Sequence, residues 1–314
     1  MIDFRYHLVS IVSIFLALAV GIVLGAGPLK EDIGNTLTSE VKNLRDDKAA
    51  LRSQLDVADQ GIKARDEFTT ASNRTLLANR LTDTGVAVVV LPGADGGLVK
   101  STTQTLAQAG ARVTATVTVL DAWVDPDKAS FRQTLGQQLA GQVQVPIDQS
   151  SGEVVNAVLA RSLLAKGGSP TREGAAAALQ AMRTGDLVRF TPDHLEPASL
   201  AVVIGAPVSG SDANARAARA KGLEALAGAL DDAGSGAVLL AATPKPDASD
   251  QTSVVSTVRS DSDRAKELST VDDGDIPMGQ ASLIFALLEQ EAGKAGQYGL
   301  TGDATAAFPQ LATK

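Results

Sequence analysis

Hydrophobic and polar positions divide the chain into three regimes. Residues 8–27 form a nearly unbroken apolar run without a charge. A hydrocarbon core about 30 Å thick needs roughly 20 such residues in helical form, so the run predicts a transmembrane helix. From Ile33 the apolar positions recur in alternating steps of four and three: Leu37, Val41, Leu44, Lys48, Leu51, Leu55, Ala58 and Ile62. That is the a/d seam of a coiled coil, with Lys48 as its one charged core position. Beyond residue 85 the periodicity changes again. Continuous β-rich runs at 86–91, 111–119, 186–190, 200–204 and 237–241 alternate with helical stretches at 98–109 and 212–230. Uninterrupted apolar strands are what a sheet covered on both faces requires.

The predicted architecture is therefore α/β: a three-layer, mostly parallel sheet domain preceded by one transmembrane helix and a coiled-coil stalk. The expected bounds are a short cytoplasmic end at 1–7, the anchor at 8–28, the stalk at 30–82, an exported domain at 85–292 and a C-terminal tail at 293–314. Pro277 opens a last apolar helix closed near Gly293, and Tyr298 and Phe308 are the large anchors of the tail.

A secretory signal has a shorter apolar region of about 7 to 15 residues, and proline after the small residues at 25–27 disfavours cleavage. The run is read as a retained anchor. Ser13, Ala17, Gly21 and Gly25 fall four apart on one face, the small-residue pattern through which two membrane helices approach closely. Arg5 lies before the span while Lys30 is offset by Glu31 and Asp32, which places the amino terminus in the cytoplasm. In the stalk register, Glu40 and Asp47 occupy g while Arg45 and Arg52 occupy e, so each acid meets a base five residues on in a parallel partner. A parallel homodimer is expected, a single amphipathic helix on the domain being the alternative. Gly61 weakens the coil.

Composition narrows the chemistry. A net charge of −8 and 3% aromatic residues provide neither a basic surface nor stacking platforms, so nucleic acid is not an expected partner. With no cysteine, two histidines and three methionines, soft metal ligands are scarce. Met182 and Met278 are read as core residues, and His194, beside Asp193, has no nucleophile elbow to serve. No catalytic residue, cofactor or metal site is expected, nor an enzyme. Ligands of open α/β sheets bind beyond the carboxyl ends of the strands, which directs attention to Gly93, Asp95 and Gly96 in one loop and Ser209 and Asp212 in another. Their glycines do not match a phosphate-binding spacing, and both acids stand where helix caps stand.

The stretches "FRYHLVSIVSIFLALAVGIVLGAG", "GARVTATVTV" and "STVDDGDIPMGQASLIFALLEQEAGKAGQYG", with the heptads between the first two, resemble the actinobacterial MctB family, which includes the corynebacterial division factor SteB. The resemblance spans nearly the whole chain and implies one of two roles. One is copper export through a proposed outer-membrane channel, with copper ions as cargo. The other is control of septal peptidoglycan hydrolysis together with a SteA-like membrane protein. An outer-membrane pore requires a closed barrel of alternating strands; the sequence offers buried parallel strands. The expectation is therefore a single-pass cell-membrane adaptor with most of its chain outside the cytoplasm, a third possibility being a small-ligand-binding α/β domain.

Overall fold

The computed structural model describes residues 4–26, 28–146, 151–166, 172–191, 196–244 and 252–310. His194 and Asp193 lie outside the described residues. The chain divides into two compact units, residues 1–65 and 66–314.

The first unit is helical. Helix α1 (Phe4–Ala26) contains the 22-residue stretch Phe4–Gly25, long and apolar enough to cross a membrane, and its described side chains are exposed in the single chain. Helix α2 (Pro28–Leu76) starts on a proline, which suits the first helical position because its missing N–H would be unpaired there anyway. It runs 49 residues, about 70 Å at 1.5 Å per residue. Gly61 does not interrupt it, since the good helix formers around it outweigh a cost of about 1 kcal/mol.

The last turns of α2 belong to the second unit. There Asn73 donates from Nδ2 to the carbonyl of Pro277 at 2.8 Å, and Leu77 and Leu81 are buried in the core. The chain then enters β1 (Gly85–Val90), α3 (Gly96–Gln108) and β2 (Arg112–Val119). Three helices follow, α4 (Ala129–Ala140), α5 (Ser151–Leu163) and α6 (Arg172–Thr184), and lead to β3 (Val188–Thr191). After β4 (Leu200–Ile204) and the short β5 (Pro207–Val208) come α7 (Ala213–Ala233) and β6 (Ala237–Leu240). The chain closes with β7 (Thr252–Ser253), α8 (Val254–Ser260), α9 (Arg264–Glu267), β8 (Ser269–Val271), α10 (Pro277–Glu291) and β9 (Gln297–Tyr298).

Seven strands form one sheet in the order β3-β2-β1-β4-β6-β8-β9, parallel except where β3 pairs antiparallel with β2; β5 and β7 form a separate antiparallel pair. Both faces are covered. Ala87 and Val89 of β1 point into a core shared with α5, α7 and Trp123, while Val86, Val88 and Val90 face α3 and α10. All six residues of β1 are buried, which is why this strand reads as a continuous apolar run. Trp123 satisfies its buried indole by donating to Asn156 Oδ1 at 3.0 Å.

Three details depart from the sequence reading. The strand expected at 186–190 starts at Val188, because Asp186 sits in a left-handed turn (φ 53°), and it forms the antiparallel edge. The segment after residue 293 supplies the opposite edge strand β9, with Tyr298 buried, whereas Phe308 is 54% exposed. Met182 is fully buried, but Met278 is only half-buried in the first turn of α10, because that turn reaches the rim of the domain.

Candidate functional site

The strand order reverses between β1 and β4: β1 leads outward to β2, while β4 leads the other way to β6. Loops at such a point splay apart and leave a crevice. The β1–α3 and β4–α7 loops adjoin there. Gly93, with φ +81°, would carry a Cβ 3.6 Å from that of Ala206. The sequence-selected residues border this crevice, but their polar groups turn elsewhere. Asp95 accepts from Leu98 N at 3.0 Å and caps α3, whose first residue is Gly96. Asp212 accepts from Ala215 N at 2.8 Å and caps α7; these bonds, with one from Ser211, hold its carboxyl below the usual range. Ser209 is exposed at the rim.

A denser polar cluster lies two strands away, beyond β8, in the sequence "VDDGDIPMGQ". Arg259 and Asp272, each with a side chain only 2% exposed, form an ion pair of 2.5 Å. The same guanidinium donates to Thr270 Oγ1 at 2.8 Å, Asp303 Oδ1 at 2.8 Å and the Tyr298 carbonyl at 2.7 Å. Asp272 also accepts from Leu300 N at 2.7 Å and from the Thr301 hydroxyl. This network clasps the segment after β9 onto α8 and β8. Its charges satisfy one another, so it acts as a fastener rather than a reaction centre.

Next to it, Asp273 is fully buried against the first turn of α10, and neither of its carboxylate oxygens has a hydrogen-bond partner. Desolvation, reinforced by Asp272 and Asp275, pushes its carboxyl up to about 6. A Cβ on Gly279 would lie 1.9 Å from the Asp273 carbonyl oxygen, so glycine is what allows α10 to start this close to the turn. Gln280 reaches back from α10 to the Gly274 carbonyl at 2.6 Å. Sequence reasoning missed these residues. The stretch stood out only as part of the family resemblance, and its density of aspartates and glycines reads equally well as an exposed loop.

Among the described residues, no cluster of three or more His, Cys, Asp or Glu side chains has the arrangement to hold a metal ion. The most conspicuous unsatisfied surface lies in the first unit instead. Leu37, Leu44, Leu51, Leu55 and Ile62 are 51 to 69% exposed in the single chain, and Val41, Lys48 and Ala58 share their stripe along α2. In α1, Gly21 and Gly25 have nothing within 4 Å of a built Cβ, and Ser13, which bonds to the Val9 carbonyl, and Ala17 lie on the same face.

A family model described as "Copper transport outer membrane protein, MctB" matches residues 1–309. Relatives from Mycobacterium tuberculosis and Mycobacterium bovis, each named copper transporter MctB, are 29% identical over 313 residues, covering 95% of this chain and 96% of the relative. A copper transporter MctB from Mycobacterium leprae is 28% identical over 322 residues, covering 97% of this chain and 98% of the relative.

Proposed function

The chain belongs to the MctB family, and from that premise we propose that it is a membrane-anchored envelope protein acting as a dimeric adaptor in cell division, with a SteA-like membrane partner and septal peptidoglycan hydrolysis as the controlled process. The observation that carries this reading is the exposed heptad stripe of α2. Five large aliphatic side chains left in water forgo about 1.5 to 3 kcal/mol each relative to burial. A parallel second copy would cover them while bringing Glu40 to Arg45 and Asp47 to Arg52. A single-pass α1 with its amino terminus in the cytoplasm would hold both copies in that orientation and leave the α/β unit outside.

A second reading, copper transport, is favoured by the names of the mycobacterial relatives. The seven-stranded sheet speaks for the adaptor, because its strands are covered by helices on both faces and enclose no lumen. Complementation of a deletion strain, scored for septation and copper tolerance, separates the two. Leu44→Asp with Leu51→Asp puts charge into the seam; it is expected to give monomers in sedimentation and to abolish septation rescue. Replacing Met182, Met278 and His194 by Leu, Leu and Gln is expected to leave rescue intact. Loss of copper tolerance in the second variant, with retention in the first, would overturn the adaptor reading.

A further inference from the structure

On the face of the sheet opposite α10, a groove of about 760 Å³ runs along α7, bounded by α5 with residues 144–146 on one side and by α9 with Asp261 on the other. Its volume lies within the range of ligand sites. The small residues Ala225, Ala229 and Ala233 recur every four positions along α7 and line the groove with apolar surface.

The charges around this surface do not balance. Glu224, 3% exposed, is wedged between Lys221 Nζ at 2.9 Å and Arg264 Nε at 3.4 Å. Lys221 also serves Asp261 at 2.9 Å, and Arg264 also faces Glu267 at 3.2 Å and Asp232 at 3.9 Å. Gly228 makes the crossing possible, since a Cβ there would meet the Arg264 guanidinium carbon at 2.4 Å. Two cations thus answer four carboxylates. Counting Arg161, Asp263 and the Lys266 that pairs with Asp263 beside the lining, four bases stand against five acids. Asp263 is answered by Lys266 Nζ at 3.0 Å; Asp232 and Glu267 stand at the solvent rim, 65% and 57% exposed, and share the one Arg264 guanidinium. Behind them the buried Asp231 feels Asp232 and Glu267 as repulsive neighbours, which helps to keep its carboxyl high.

We propose that this groove binds a lysine- or arginine-rich segment of a partner chain, whose small or aliphatic residues cover the alanines of α7 while its cationic groups reach Asp232 and Glu267. An anionic partner meets a net negative rim and is repelled. The proposal deepens the adaptor reading and rests on it only for the source of the segment, so the test below uses purified protein and no cellular phenotype.

The probe is a fluorescein-labelled dodecapeptide of Lys-Ala-Ala repeats, titrated against the full chain in neutral detergent and read by anisotropy at about 150 mM salt. The expected result is saturable binding, weakened about tenfold by Asp232→Asn with Glu267→Gln, as follows from losing two exposed charge pairs. Ala229→Trp, which fills the groove without changing charge, is expected to weaken it at least as much. Asp46→Asn with Asp56→Asn on α2 removes the same charge elsewhere and is expected to change affinity by less than about twofold. The proposal is overturned if the peptide does not bind, if the α2 variant weakens binding as much as the groove variant, if Ala229→Trp has no effect, or if free spermine binds the groove as tightly as the peptide. None of these outcomes bears on whether the seam variant rescues septation.

Discussion

Replacing Asp231 by asparagine isolates the electrostatic cost of one buried carboxyl. Asp231, 9% exposed near the end of α7, accepts from Ala237 N at 2.7 Å and so ties the turn that launches β6. Desolvation raises its carboxyl from 3.8 to about 7; Asp232 and Glu267 push the same way, while the Ala237 bond and Arg264 oppose. The folded state therefore binds a proton that the unfolded state has released between about pH 4 and pH 7. Stability falls as pH rises through that window. At about 1.36 kcal/mol per unit, a rise of some three units costs about 4 kcal/mol once pH exceeds 7. An asparagine side chain at this position retains an oxygen to accept from Ala237 and has no proton to lose. Asp231→Asn is thus expected to match the parent within about 1 kcal/mol near pH 4.5 and to exceed it by about 4 kcal/mol at pH 8, a gain of about 10 °C in melting temperature for a domain of this size. The single tryptophan, Trp123, is buried in the same core and reports the transition by fluorescence in the full chain. A difference between variant and parent that is flat from pH 4.5 to 8, or that favours the parent at pH 8, would refute the reasoning.

Asp273, with its carboxyl near 6, gives a slope of the same sign over about pH 4 to 6, so Asp231→Asn is expected to retain a residual decline there that Asp273→Asn removes in pH-dependent melts. Gly279→Ala sets a methyl against the Asp273 carbonyl, which neither backbone segment can yield cheaply; a loss of more than about 3 kcal/mol is expected in denaturant titrations, and a change below about 1 kcal/mol would dismiss the contact. Arg259→Met leaves Asp272 buried without its counter-charge and is expected to cost about 3 to 5 kcal/mol, with faster hydrogen exchange at the Leu300 amide, which now bonds to Asp272.

Legibility in the sequence followed the range of the interaction involved. The strands of the sheet centre were readable because burial on both faces leaves a local mark: Val86, Val88 and Val90 face one core while Ala87 and Val89 face the other, so no polar residue interrupts β1. The long helix α2 was readable for a similar reason, since apolar residues recurring at steps of three and four mark a helix from local sequence alone. Helices α4 and α6 left no such mark. Their buried positions include Gly136, Ala140 and Ala178, and small residues give little contrast with the exposed glutamines between them. The polar sites were least readable. Arg259 reaches Asp272 across α8 and β8, and the groove gathers Arg161, Lys221 and Arg264 from three segments. In the sequence each of those charges is indistinguishable from a solvated one. The structure also changes where function is to be sought. Both acids chosen from the loops, Asp95 and Asp212, are engaged by the amides of the helices they precede, which leaves the carboxyl edge around the strand-order reversal with few polar groups free to hold a ligand. Asp232 and Glu267, which share the single Arg264 guanidinium, lie instead in the helical layer on one face of the sheet. Recognition by such a layer is recognition of a surface rather than of a small molecule in a strand-end crevice, which is the kind of contact the proposed adaptor role requires.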